Sequence, residues 1–160
     1  MEIINKNSTL WSYLGENIQG LINDGEKLLD LANPEGAPVS DYSYLVFPFS
    51  KAYEGFLKKL FLDTGVINEK DFYGDEIRVG RILSPRYRKE HANQFGHMCL
   101  KETPKVDLAD NLWNTWHRGR NRVFHYFPHN FRRLTYQEAL EIIQELASRM
   151  EEATVKCELR

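Results

Sequence analysis

A short basic stretch, RNRVFH at residues 120–125, holds the residue types that could cleave a phosphodiester bond. Arg120 has a planar and permanently charged guanidinium, and His125 has an imidazole that titrates near neutral pH. Cleavage by a neighbouring hydroxyl needs a base and an acid, and a cation stabilises the charge that builds on phosphorus. The spacing alone is weak evidence, because Arg86 and His91 share it. Arg120 and His125 are therefore a candidate catalytic pair, with a structural polar pair as the alternative.

The charge distribution around this stretch is asymmetric, although the net charge of the chain is only −2. No acidic residue lies between Asp110 and Glu138, and a second acid-free stretch runs from Arg78 to Lys89. We expect the basic side chains of the longer stretch to contact phosphate and its other histidines to line the same surface. The expected substrate-binding residues are Arg118, Arg122, Arg132, Arg133, His117 and His129. The alternative is that these arginines pair with acids elsewhere in the fold.

The elements that must position these residues are helices. Helical spacing of apolar residues predicts main helices over 8–32, 41–64, 107–127 and 135–154. In the second, Pro48 indicates either a helix that starts near it or one that is kinked. The fourth opens with a capping box, Thr135 to Glu138. The whole chain, 1–160, is predicted to be one all-α domain, a bundle of four to five helices.

Residues 66–106 fit this periodicity poorly and predict an irregular central excursion. Asn68 can cap a short helix, and IRVGRIL at 77–83 could be a short helix or an edge strand.

Within the predicted helix over 107–127, the two candidate catalytic residues do not share a face. Drawn at about 100° per residue, Arg120 lies beside the apolar stripe, and His125 lies about 140° further round. Gly119 can loosen the helix and let the two side chains converge. Trp113 and Trp116 on the stripe are predicted to be core residues, with a base-stacking platform as the alternative.

Several classes of protein are excluded or disfavoured by composition. No apolar run approaches about 18 residues, and residues 1–11 do not resemble a secretory signal, so we expect a cytoplasmic protein without a membrane span. Cys99 and Cys157 are then expected to be reduced thiols. His91, His97 and Cys99 match no zinc spacing with a fourth ligand, so no metal and no cofactor is predicted.

In its context, the order Arg120, Asn121, three residues and His125 resembles the motif of the HEPN superfamily of ribonucleases. Those proteins carry it on the penultimate helix of an α-bundle. The segment SKAYEGFLKKLFLDTGVI at 50–67 is similar to the corresponding helix of bacterial RNase-LS-type toxins, which end in a HEPN-type domain. The resemblance implies a metal-independent endoribonuclease in which Arg120 and His125 are catalytic and Asn121 orients them.

The resemblance also implies a homodimer, because one imidazole per chain cannot comfortably serve as both base and acid, and a two-fold axis supplies a second copy. It further implies a toxin or antiphage effector that a cognate antitoxin or inhibitor holds in check. One branch of the family is silenced by modification of a tyrosine two residues after the histidine, where this chain has Phe127. The alternative function is a non-catalytic HEPN-like module that binds nucleic acid or a partner protein.

Overall fold

A computed structural model describes residues 1–32, 35–36, 39–95, 99 and 108–159, and within these residues the chain is helical and has no strand. The predicted all-α class is confirmed. The helices are α1 Thr9–Tyr13, α2 Glu16–Leu31, α3 Ser43–Asp63, α4 Glu69–Tyr73, α5 Val79–Leu83, α6 Pro85–Glu90, α7 Ala92–Phe95, α8 Leu108–Trp116 and α9 Tyr136–Lys156. A π-helical turn, His117–Asn121, follows α8, and a 3-10 turn, Pro128–Asn130, precedes α9.

Helix α3 is the central element and packs against both α2 and α9. Most of its apolar residues are almost fully buried, among them Phe49, Phe56 and Leu60, whereas Tyr44 and Phe47 are exposed. The helix begins at Ser43 and continues through Pro48. It therefore starts five residues before the proline and not near it. The N-cap is Tyr42, and the carboxylate of Asp41 just before it accepts hydrogen bonds from both the backbone N–H and the hydroxyl of Ser43, a turn that leads into the helix.

The predicted helix over 8–32 is wrong as a single element, since it is divided into α1 and α2. Leu14 is extended and buried, and Gly15 is the N-cap of α2. The side-chain amide of Gln19 donates to the carbonyls of Trp11 and Leu14, both at 2.9 Å. The bond to Leu14 gives a partner to a carbonyl at the break, the bond to Trp11 adds to the one that Trp11 accepts from the Leu14 N–H, and Leu14 itself lies in the core.

The central excursion begins with short helices. Asn68 caps α4 in a reciprocal capping box with Asp71, as predicted, and 79–83 form a helix rather than an edge strand. Thr135 and Glu138 form the predicted capping box of α9. Residues 96–98 and 100–107 lie outside the described part of the chain.

The predicted helix over 107–127 is too long. Its α-helical part ends at Trp116, the π turn ends at Asn121, and the chain leaves the helix from Arg122 onward. The N–H of Arg122 donates to the carbonyl of His117, five residues back, at 3.1 Å. Residue 107 lies outside the described residues.

Cys99 and Cys157 form a disulfide, so the expectation of two reduced thiols is wrong. The bond joins the central excursion to the C-cap of α9 across a sequence separation of 58. Such pairing depends on the fold, because two distant cysteines carry no spacing signal. No helix among the described residues has the length and apolar content needed to cross a membrane.

Candidate active site and basic groove

The candidate site is built on the π turn at His117–Asn121, which two contacts hold in place while a third holds the preceding helix α8. Gly119 at its centre is buried against α9, where a Cβ would lie 2.9 Å from the Leu146 side chain. The buried hydroxyl of Ser50 on α3 donates to the Gly119 carbonyl at 2.5 Å. The Tyr53 hydroxyl donates to the Leu112 carbonyl of α8 at 3.2 Å. Because burial raises the pKa of the Tyr53 phenol well above its usual value, it remains a neutral donor.

The structure brings the three predicted catalytic residues, Arg120, Asn121 and His125, to one cavity of about 550 Å³. Two further cations, Arg78 and Arg81, line it from α5. The rest of the lining is Glu54, Val79, Gly80, Trp113, Trp116 and Phe124. The two acid-free stretches of the sequence therefore meet at this cavity, and that juxtaposition results from tertiary packing.

His125 is oriented by Asn121. The Nε2 atom of the exposed imidazole lies 3.0 Å from Oδ1 of Asn121. Because an amide oxygen only accepts, Nε2 carries the hydrogen in this pair. In the neutral ring Nδ1 is then the nitrogen with a free lone pair, and it is the atom that can take a proton from a substrate.

Arg120 is held by an acid that the sequence analysis missed. Its Nε lies 3.1 Å from Oε2 of Glu54 on α3, and its guanidinium carbon lies 5.8 Å from the centre of the Phe124 ring. Glu54 follows Ser50 by one helical turn, so both residues of α3 face the π turn. The spacing of Ser50 and Glu54 could indicate a contact with the π turn only once the packing of α3 on that turn was known.

The arginines predicted to contact phosphate lie together, but not in the same cavity as Arg120 and His125. A separate basic groove of about 380 Å³ is lined by Arg118, Arg122, Arg132 and Arg133, with Val123, Phe131, Leu134, Glu138 and Ile142. The guanidinium of Arg132 lies over the Phe127 ring, 3.6 Å from its centre. The predicted substrate-binding residues thus form a second surface.

Pairing with acids, the alternative interpretation of these arginines, holds for some of them, and contact with phosphate stays a prediction. Arg118 pairs with Glu145, which also accepts a hydrogen bond from Thr115 at 3.0 Å, and Arg120 pairs with Glu54. Among the described residues no carboxylate pairs with the other three arginines of the basic groove, which are Arg122, Arg132 and Arg133.

The two other predicted histidines line neither surface. The His117 ring lies 5.7 Å from that of Trp113, and His129 is exposed with a left-handed backbone, φ 59°. Where the chain is described, no cluster of three or more potential metal ligands occurs, and His97 lies outside that part. Trp113 and Trp116, predicted as core, pack against the core but also line the cavity.

Comparison of the chain with models of known protein families, with curated proteins and with solved structures gives no match.

Proposed function

We propose that this chain is a metal-independent endoribonuclease of HEPN type, with Arg120, Asn121 and His125 as its active site. The observation that carries the proposal is that these three side chains line one cavity although their sequence positions are not on one helical face. Arg120 and Asn121 lie in the π turn and His125 follows it where the chain has left the helix, and turns of this kind are frequent at functional sites. Arg78 and Arg81 add the positive charge that a phosphate substrate requires.

The proposed reaction is a transesterification within the RNA. His125 takes the proton of the 2′-hydroxyl, the 2′-oxygen forms a bond to phosphorus, and the bond from phosphorus to the 5′-oxygen breaks. A second imidazolium, from His125 of a two-fold related copy, protonates the leaving 5′-oxygen. Arg120 exchanges Glu54 for the phosphate and stabilises the negative charge of the phosphorane. The products are a 2′,3′-cyclic phosphate and a 5′-hydroxyl.

In this proposal the protein acts as a homodimeric toxin or antiphage effector in the cytoplasm, restrained by an antitoxin or inhibitor protein. Disulfides are rare in that compartment. The oxidation state of Cys99 and Cys157 in cells is therefore a direct check on the proposed location.

The basic groove favours a second candidate function, a module that binds nucleic acid without cleaving it. Its four arginines are grouped away from Arg120 and His125, so the groove can bind a phosphate backbone without the catalytic pair. Neutralising Arg122 tests this binding role. It should weaken RNA binding whether or not the protein also cleaves RNA.

Cleavage of a labelled single-stranded RNA in the presence of a chelator tests the proposal against this alternative. Wild-type protein should produce fragments that end in a cyclic phosphate, and His125→Ala should cleave at least about 100-fold more slowly. His129→Ala is the matched control, because this exposed histidine lines neither surface. In bacteria, expression of the wild type should arrest growth and His125→Ala should not. The nuclease would be excluded if a demonstrably dimeric wild type left the RNA intact. Equal cleavage rates for His125→Ala and His129→Ala would exclude it as well.

A further inference from the structure

The part of the cavity lining contributed by α5 and α8 is an aromatic and cationic surface that the proposed cleavage chemistry does not use. Trp113 and Trp116 on α8 are stacked, with ring centres 5.6 Å apart and planes inclined by 15°. Both line the cavity, together with Phe124. An indole ring has a flat face on which any of the nucleobases can stack, so such stacking does not depend on the RNA sequence.

Helix α5 closes against this stack very tightly. A Cβ on Gly80 would lie 2.2 Å from the Trp116 ring, so glycine lets the backbone of α5 contact the indole directly. The neighbours of this glycine, Arg78 and Arg81, line the same cavity, and both are exposed. The close contact therefore places two cations beside an aromatic pair.

We infer that this part of the cavity is a subsite for one unpaired nucleotide that flanks the scissile phosphate. The base stacks on Trp113, because Trp116 is already covered by Trp113 and by the α5 backbone at Gly80, and the phosphate of the nucleotide meets Arg78 and Arg81. The inference rests on the proposed function and adds that the substrate is single-stranded at this position. A paired base of an A-form duplex presents no free face, and side chains cannot enter the deep major groove of that duplex. The cavity, at about 550 Å³, is within the usual range of ligand sites.

Binding of short RNAs to the His125→Ala variant tests the subsite without cleavage. The probes are a six-nucleotide oligouridylate and forms of it in which one base is missing, with the abasic position moved along the chain. Anisotropy should show affinity reduced by roughly 5- to 150-fold when one or two particular positions are abasic. Equal affinity for the intact probe and for every abasic probe would overturn the inference.

Substitutions assign this base dependence to the indole pair. In the same background Trp113→Leu should remove the difference between intact and abasic probes, and Trp113→Phe should retain most of it. Trp11→Leu is the control, because this indole lies on α1 and outside the cavity lining. If Trp113→Leu weakens binding of all probes equally, with the base dependence intact, stacking on Trp113 is wrong.

The cationic half of the subsite has its own measurement. Arg78→Ala should reduce the slope of log affinity against log salt by about one. Arg86→Ala is the matched control, because Arg86 belongs to the same acid-free stretch but pairs with Glu90 on α6. An unchanged slope for Arg78→Ala would remove the phosphate contact from the inference.

The two proposals fail in different experiments. A wild type that does not cleave RNA, while its His125→Ala variant still binds with base dependence, contradicts the nuclease and leaves the subsite. A wild type that cleaves, with no base dependence at any position, overturns the subsite and leaves the nuclease.

Discussion

Replacement of Ser50 by alanine is expected to damage the candidate active site without touching any residue that lines the cavity with His125. Ser50 is 3% exposed, and its hydroxyl donates to the carbonyl of Gly119 at 2.5 Å. Without this donor a buried carbonyl loses its partner, which costs about 1–3 kcal/mol of unfolding free energy. The π turn then loses its buried hydrogen bond to α3 and keeps only the exposed ion pair of Arg120 with Glu54. Since Arg120 and Asn121 follow Gly119 directly, and misplacement by ~1 Å can cost about 100-fold in rate, cleavage should fall by about 10- to 100-fold.

Urea denaturation followed by circular dichroism measures the stability of Ser50→Ala, and single-turnover cleavage of labelled RNA measures its rate. Thr154→Val is the control, because it also removes a buried hydroxyl, one that donates to the Met150 carbonyl within α9. That carbonyl lies in the regular part of the helix, so the control should retain cleavage. If Ser50→Ala matches the wild type in both stability and rate, the Ser50 bond does not position the site and the reasoning is refuted.

Three further predictions concern the ion pair of Arg120, the disulfide and the carboxylate of Asp41. Glu54→Gln removes the charge that neutralises Arg120, so RNA should bind more tightly, by about fivefold or less, in a low-salt binding assay. Cys157→Ser should lower the unfolding free energy by up to about 4 kcal/mol, and a thiol reductant should destabilise the wild type but not this variant. Burial raises the pKa of Asp41, but hydrogen bonds from Ser43, Asn130 and Leu134 outweigh burial and hold that pKa below its usual value of 3.8. The stabilisation is therefore present above that value and is lost as the pH falls through the lower folded-state pKa. Urea titrations at pH 7 and pH 3 should show a smaller pH dependence for Asp41→Asn than for the wild type.

Helices whose signals are local were predictable from the sequence. The capping box of Thr135 and Glu138 and the apolar spacing behind it placed α9 within two residues of its observed bounds. The break between α1 and α2 was not predictable in this way. It depends on the amide of Gln19 reaching back to two carbonyls, and on the burial of Leu14 among residues distant in sequence.

In the candidate site, too, some features follow from the local sequence and others from tertiary packing. The motif of Arg120, Asn121 and His125 is a local pattern, and the sequence already indicated that Gly119 would loosen the helix. The loosening takes the form of a π turn held by tertiary contacts, among them the hydrogen bond from Ser50, which is 69 residues away in sequence. The contributions of α5 and of the acid on α3 also need the tertiary packing, so periodicity could not reveal them.

The disulfide between Cys99 and Cys157 has a consequence for how the protein behaves when it is cut. The bond makes the stretch between the two cysteines a covalent ring, and the candidate catalytic residues Arg120, Asn121 and His125 lie within it. A protease that hydrolyses one peptide bond inside this ring opens the loop but releases no fragment. The nicked molecule keeps the mass of a single chain, apart from one added water, and separates into two pieces only when the sulfurs are reduced.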